Sequence, residues 1–426
     1  MKPKKLLAFC LCLSISISAT ACNIIRPEKN NNSVTLNSET NHSVSSSAIS
    51  SRIDSASVPK TNPDQSSTLP DSQTSTGKWI EKAPMSRSRY DFGLETANDK
   101  IYAIGGDSRD GELDSVEEYN SAANQWRKKK PMPTARSGLQ TALLGGKIYA
   151  IGGTIGRQSS SAVERYDPAA DRWTSLSPLK NPREYFQAAV LDGTIYVMGG
   201  SADATITSSV EAYDSLSNTW TEKAPMPVPK MQFQAEIIGG KIYAVGGLNP
   251  VDGVGPAVNS TSVEVYDPAT NKWTEKSAMK TPRFSFRTEI AGGKIFAIGG
   301  VNDQVNALPS VEEYDPSTDR WSPKKGMNLA RSGFQTALAN GKIIAIGGGK
   351  KAGYDTRDNF LSSVEEYDPV TDTLTEKAPL HTPRGWFQSA VLNGQLYVLG
   401  GTDGSSNNRG REPGLASLEV YRFQSN

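Results

Sequence analysis

The stretch Gly145 to Gly153 reads GGKIYAIGG. It returns as NDKIYAIGG (Asn98 to Gly106), DGTIYVMGG (Asp192 to Gly200), GGKIYAVGG (Gly239 to Gly247), GGKIFAIGG (Gly292 to Gly300), NGKIIAIGG (Asn340 to Gly348) and NGQLYVLGG (Asn393 to Gly401). Successive double glycines stand 47, 47, 47, 53, 48 and 53 residues apart. Self-similarity at this period marks a propeller or array, because one unit of this size cannot bury its apolar face alone and needs neighbours to cover it.

Four strand signals fall in each unit. Around the quoted stretch they are Arg136 to Leu144, Lys147 to Ile151, Ala162 to Tyr166 and Arg172 to Ser175, each short, apolar or alternating, and bounded by turn residues. Tyr166-Asp167-Pro168 ahead of Trp173 predicts the turn between the third and fourth strands, with proline fixing φ and aspartate bonding the backbone that follows. The same pattern stands at Tyr266-Asp267-Pro268 with Trp273 and at Tyr314-Asp315-Pro316 with Trp321.

The double glycine, the Val-Glu-x-Tyr-Asp-Pro strand and turn, the tryptophan and an arginine opening the next unit closely resemble the kelch repeat family, over Trp79 to Phe423. Two positions depart from the pattern: Leu374 in one tryptophan slot and Lys230 in one arginine slot. The resemblance implies a β-propeller of four-stranded blades. The repeats begin with an orphan fourth strand, Trp79 to Lys82, and end on a third strand, Leu418 to Phe423. The expected fold is therefore all-β: a seven-bladed kelch β-propeller (78–426) whose N-terminal strand completes the last blade and covers the open edges.

Ahead of it, residues 1–21 carry Lys2, Lys4 and Lys5 and then an apolar run too short to span a membrane, which reads as a signal peptide. Ala19-Thr20-Ala21-Cys22 resembles a bacterial lipoprotein processing box, which implies a lipidated Cys22 and an exported, lipid-anchored protein on the extracellular or periplasmic face; the alternative is an ordinary cleaved signal. Residues 22–77 are rich in Ser, Thr and Asn without periodic apolar spacing, and read as a disordered tether.

Cys10, Cys12 and Cys22 are the only cysteines, so the propeller must hold itself by packing alone. Without the signal lysines, 43 basic residues face 45 acidic ones, a balance that argues against nucleic acid as a partner. With His42 and His381 the only imidazoles and no cysteine in the repeats, neither zinc nor the copper chemistry of kelch-containing galactose oxidases is expected. No phosphate-binding or nucleophile-elbow motif is present, and no cofactor or metal is expected.

Function is sought where a repeated slot holds blade-specific residues. The loop into each first strand contains Arg89, Arg136, Arg183, Lys230, Arg283, Arg331 and Arg384. Similarity to kelch adaptor proteins implies a ligand-facing ring at the channel mouth; the other reading pairs these residues with the recurring Glu117, Glu164, Glu211, Glu264, Glu312, Glu365 and Glu419, facing the Arg of the next unit. The two residues after each base vary, and among them Tyr90, Tyr185, Phe284 and Trp386 form either an aromatic rim that anchors a partner or blade packing.

Deeper in the channel, Gln140, Gln187, Gln234, Arg287, Gln335 and Gln388 alternate with Glu95, Glu236 and Glu289 on one strand face. They read either as a self-satisfied polar belt or as a site in which Glu236, Glu289 and Arg287 carry chemistry. Some bacterial kelch propellers are sialic acid mutarotases, which gives the catalytic reading a family precedent. The long loops at Leu248–Thr261, Gly349–Ser362 and Thr402–Ala416 share a face with the basic ring in kelch relatives and carry several aspartates without calcium-loop spacing. The expected function is a surface-anchored module that binds a protein or glycan on this loop face, touching the membrane through its lipid anchor only; the alternative is a sugar mutarotase or epimerase.

Overall fold

The computed structural model describes residues 77–156, 158–203, 205–251, 255–304, 306–351, 359–405 and 414–423. Signal, tether and Cys22 lie outside the described residues. Seven antiparallel four-stranded sheets make up the body. Their inner strands are Gly93–Ala97, Gln140–Leu144, Gln187–Leu191, Gln234–Ile238, Arg287–Ala291, Gln335–Ala339 and Gln388–Leu392, which number blades 1 to 7 here. Each inner strand lies beside the next, and the seventh lies beside the first, so the blades close a ring around one channel.

Closure runs through the N-terminal strand. Trp79–Lys82 pairs antiparallel with Leu418–Arg422 as the outer strand of blade 7, with Trp79 opposite Tyr421 and Lys82 opposite Leu418. In the quoted unit the second and fourth strands match the sequence expectation, the third runs Val163–Asp167 rather than Ala162 to Tyr166, and the first is shorter than expected. That strand begins at Gln140 rather than Arg136, because Gly138 turns the chain with φ +58° just before it.

The double glycine is explained by the neighbouring blade. The first glycine lies against that blade's phenylalanine and arginine carbonyl: a Cβ on Gly400 would sit 2.6 Å from Phe92 and 2.8 Å from the Arg89 oxygen. The second donates its N–H to the carbonyl of the next blade's basic residue. Gly106 donates to Arg136, Gly153 to Arg183, Gly200 to Lys230, Gly247 to Arg283, Gly300 to Arg331, Gly348 to Arg384 and Gly401 to Arg89, at 2.7–3.0 Å. A side chain on the first glycine would strike the neighbouring blade, and one on the second would strike the entry loop of its own blade, as at Gly401 against the Gly385 carbonyl and Phe387.

Apolar packing follows the same seams, with each cluster drawing on two adjacent blades. The outer rim is stitched by tryptophan. Trp79, Trp126, Trp173, Trp220, Trp273 and Trp321 each donate the indole N–H to a carbonyl of the preceding blade at 2.8–2.9 Å.

Candidate functional site

The loop that enters each inner strand begins with the basic slot. All seven of its side chains, Arg89, Arg136, Arg183, Lys230, Arg283, Arg331 and Arg384, are fully buried at 0% exposure. Arg183 shows why. Its guanidinium donates to the Gly199 carbonyl at 2.9 Å, the Ser209 carbonyl at 3.2 Å, the Ser209 hydroxyl at 2.8 Å and the Glu211 carboxylate at 2.6 Å. The ring thus serves the inside of each blade, where solvent and ligand do not reach it. Each base pairs with the glutamate of the unit it opens, as in Arg89 with Glu117 and Arg384 with Glu419, instead of with the next unit as the sequence reading had it. The reason is that the side chain folds back over the first glycine and third strand of the blade it is about to enter.

The next two residues diverge in role. The first pairs with the start of the loop between strands two and three of its own blade, as in Tyr90 with Asp107, Glu184 with Ser201 and Phe284 with Val301. Entry loops and long loops therefore share one face. The second lies in the left-handed region in every blade: Asp91 (φ 48°), Gly138 (58°), Tyr185 (55°), Gln232 (52°), Ser285 (49°), Gly333 (55°) and Trp386 (49°). Neighbours in this circle are joined through the backbone, with the Gly138 N–H donating to Asp91, Gln232 to Tyr185 and Trp386 to Gly333. Nothing in the local sequence announces this conformation, since five of the seven residues are not glycine.

The four aromatics consequently do not make one rim. Tyr90 and Phe284 are buried at the first position, and the Tyr90 hydroxyl donates to Asp107 at 3.2 Å. Trp386 is buried edge-on against Phe360, with ring centroids 5.2 Å apart, and covers Gly333. Tyr185 alone of the four stays partly exposed at the mouth. There it lines a small recess, open to solvent, together with Gln140, Gln187, Gln232, Gln234, Ser285 and Arg287.

Below the mouth, the polar belt ties blade to blade. Gln187, Gln335 and Gln388 donate their amides to the carbonyls of Phe233, Phe387 and Phe92 at 2.8–2.9 Å, and Arg287 Nε donates to Phe334 at 2.9 Å. Two residues further along, Glu95, Glu236 and Glu289 are partly buried in the channel wall. Each meets a threonine hydroxyl of the following blade: Thr141, Thr288 (2.5 Å from Glu236) and Thr336. Blades with alanine at the carboxylate position are followed by Ala188, Ala235, Ser389 and Leu94, so threonine appears where a carboxylate needs it. This matching was legible in the sequence as a correlation between adjacent units, and the sequence reading passed over it.

Burial raises these carboxyls, Glu95 to about 8, Glu236 to about 7 and Glu289 to about 8, and the Glu236 charge adds to the rise at Glu289. Burial lowers the Arg287 guanidinium to about 9, against the pull of Glu289. Glu184, at the mouth, is raised to about 7 by burial and accepts a hydrogen bond from Thr154 at 2.9 Å. Glu236, Glu289 and Arg287 are thus brought onto adjacent inner strands, with hydrogen-bond partners supplied by the scaffold.

Among the described residues no group of three His, Cys, Asp or Glu side chains is arranged to hold a metal ion. His381 bonds Glu419 through Nδ1 at 2.8 Å. The long loops keep only part of their length in view, and Asp252, Asp355 and Asp358 lie outside the described residues.

Comparison with known proteins places this architecture. A model of the KLHDC2/KLHL20/DRC7 Kelch-repeats domain matches residues 67–247, and the Kelch motif matches 229–280, 282–328 and 330–380. By sequence the chain is similar to the influenza virus NS1A-binding protein homolog of Mus musculus (54% identical over 55 residues) and to the influenza virus NS1A-binding protein of Homo sapiens (53% over 55 residues). These matches cover 13% of this chain and 9% of each relative, so the chain spans under a tenth of the curated relatives it matches. Among solved structures, YjhT is 14% identical with a TM-score of 0.55, covering 70% of this chain and 99% of that one. A fungal alcohol oxidase in complex with copper is 18% identical with a TM-score of 0.67, covering 82% and 76%. At such identities the likeness is one of fold, and the repeats of this chain hold one histidine, His381, and no cysteine, where a copper centre of that kind draws on several imidazoles and a cysteine.

Proposed function

Since the chain belongs to the kelch-repeat family, we propose that it works as a surface-anchored binding module that takes a protein ligand on the loop-rich face. One observation carries this reading: at the left-handed position of the channel mouth five blades hold Asp91, Tyr185, Gln232, Ser285 and Trp386 in place of glycine. A non-glycine residue in that region costs on the order of 1 kcal/mol, and such strain persists where the surroundings hold a side chain in place for use. Of these, Tyr185, Gln232 and Ser285 stay partly exposed on three consecutive blades, whereas Asp91 and Trp386 are buried, so a blade-specific patch stands beside the extended loops, as repeat scaffolds present binding faces. The NS1A-binding names of the sequence relatives agree with a protein partner.

A glycan ligand is the second reading, favoured by the recess, where amides, Arg287 and one aromatic edge converge as sugar hydroxyls require. Export and lipidation at Cys22 belong to the same proposal and rest on the leader sequence. The channel carboxylates play a scaffold role in it, because each already has a threonine partner.

The test is a thermal-shift series on the full chain with acidic peptides and with sialylated and neutral oligosaccharides. A ligand at a hundredfold excess over its Kd adds about 2.7 kcal/mol of stability. Loss of the shift in Tyr185→Ala/Gln232→Ala, and its retention in Leu216→Asp on the exposed turn of blade 3, supports the mouth. The reverse pattern moves the site elsewhere and ends this reading.

A further inference from the structure

The rim of the propeller is not charged evenly, and the unevenness falls where the chain enters the fold. Most outer strands carry an acid opposite the buried third-strand glutamate: Glu222 stands opposite Glu211, Glu275 opposite Glu264, Glu376 opposite Glu365 and Glu81 opposite Glu419. Blade 1 places Lys128 there, opposite Glu117, and Arg127 where blades 2 to 6 place Thr or Ser and blade 7 places Ile80. Lys129 reaches Glu118 at 3.5 Å and Asp171 at 4.0 Å, whereas among the described residues no carboxylate lies within ion-pair distance of Arg127, Lys128 or Lys130.

A second substitution of charge lies on the adjoining blade. The third strands of blades 2 to 6 end in Asp167, Asp214, Asp267, Asp315 and Asp368, four of which bind a lysine from the second strand, as Lys147 binds Asp167 at 2.7 Å. Blade 7 ends instead in the exposed Arg422, opposite Gln395, and blade 1 in Asn120, opposite Lys100. Arg422 acts on Lys82, whose ammonium is lowered first by burial and then by that neighbouring charge.

These two segments are contiguous. The end of the entering strand is clamped to the start of the basic one: the Ala83 N–H donates to Asn124 Oδ1 at 3.0 Å, and Trp126 Nε1 donates to the Ala83 carbonyl at 2.8 Å. Lys78, Lys82 and Arg422 on blade 7 and Arg127, Lys128 and Lys130 on blade 1 therefore flank one seam of the rim, against one exposed acid, Glu81, on the entering strand, in a chain that is nearly neutral overall. Residues 22–77 lead directly into this edge along the chain.

We propose that this edge docks on anionic phospholipid headgroups, so that the propeller lies against the membrane by its blade 7 and blade 1 rim with its channel mouth accessible. The proposal rests on the anchoring of Cys22 advanced above and extends it, giving the membrane a second contact beyond the lipid. An anchor at Cys22 lies upstream of the entering strand, so the edge at Lys78 to Lys82 is the part of the propeller nearest to it along the chain. Each cation near an anionic surface then contributes roughly a fivefold gain in partitioning, weakened by salt.

The experiment uses the full chain carrying Cys22→Ala, so that no acyl chain contributes, and sedimentation with phosphatidylcholine vesicles with and without one third phosphatidylglycerol. The leader, with Lys2, Lys4 and Lys5, adds its own preference for phosphatidylglycerol, so the rim is read from the difference between each rim variant and the parent on the same vesicles. Binding is expected to require phosphatidylglycerol, to fall with salt, and to drop by at least about tenfold in Arg127→Glu/Lys128→Glu. Lys223→Glu/Lys272→Glu on the far rim should leave it unchanged. Equal losses from both rims, or no preference for phosphatidylglycerol, overturn the proposal, as does binding to a single-stranded oligonucleotide with no binding to vesicles. All four substitutions are of charged rim residues, and unchanged melting midpoints establish that folding is intact. Acylation of Cys22 is scored separately by the intact mass of the membrane-extracted protein: an unmodified Cys22 with the vesicle contrast intact removes the anchor and keeps the rim, and the converse removes the rim and keeps the anchor.

Discussion

The Lys230 ammonium lies 3.1 Å from the Glu264 carboxylate, yet neither oxygen of Glu264 receives a well-directed hydrogen bond. The equivalent Glu211 receives three, from Arg183 and from the backbone N–H groups of Lys180 and Asn181. In blade 4 Pro227 stands where Lys180 stands in blade 3 and has no N–H to give, and lysine lacks the planar fork that reaches the carboxylate, the serine and the glycine carbonyl together.

Blade 4 is therefore the under-bonded seam, and Lys230→Arg is expected to stabilise the protein by about 0.5–1.5 kcal/mol. Arg183→Met, which strands a buried Glu211, should cost about 3–5 kcal/mol. Urea midpoints of the two variants against the parent decide this, and a destabilised Lys230→Arg would count against the seam.

The second glycines carry a closure bond that the turn glycines do not. Gly401→Ala places a Cβ 2.5 Å from the Gly385 carbonyl and 2.6 Å from Phe387 at φ 87°, whereas Gly145→Ala, at φ 57°, meets nothing within 4 Å. We expect Gly145→Ala to cost about 1–2 kcal/mol and Gly401→Ala well beyond that, in excess of about 3 kcal/mol. Equal costs in denaturation would show that φ alone matters and that the close contact with the entry loop does not.

Leu374 fills the one tryptophan slot without an indole, and Asp372 beside it already accepts the Lys325 N–H at 2.8 Å. By analogy with Trp321, which donates to Ser277 at 2.8 Å, Leu374→Trp should donate to the Lys325 carbonyl and add about 1 kcal/mol. The check is a rise in melting midpoint together with quenched, blue-shifted emission from the added indole.

Stability should also fall with rising pH above neutrality. Glu95, Glu236 and Glu289 have folded-state values of about 8, 7 and 8 against an ordinary 4.5, so the fold holds their protons more tightly than the open chain does. Their contribution is complete below the unfolded value and is lost as pH rises through 7 to 8. The melting midpoint should therefore drop between about pH 5 and about pH 8 and level off above that. Glu95→Gln/Glu236→Gln/Glu289→Gln should flatten that slope; an unchanged slope would place the titration elsewhere.

The blade count, the closing strand Trp79–Lys82 and the second and fourth strands of the quoted unit were legible in the chain, because repetition multiplies a weak strand signal sevenfold. Parts of the mouth were legible too. The variable pairs after each base mark it, and Tyr185 stands there partly exposed. What misled was chemistry read without direction. Seven basic residues look like an anion-binding ring until the backbone turns them inward onto Gly199, Ser209, Glu211 and their equivalents.

The sequence by itself determined the repeat, its period and its ring closure, since these follow from which residues recur and where the chain begins and ends its pattern. Only the tertiary structure decided which side chains reach solvent. The left-handed turn at Asp91, Tyr185, Gln232, Ser285 and Trp386 is imposed by the strand register and by backbone bonds between blades, and no local propensity encodes it. Tyr90, Phe284 and Trp386 are buried for the same reason: burial is set by the loop or blade lying against them, and that neighbour is fixed only when the ring closes.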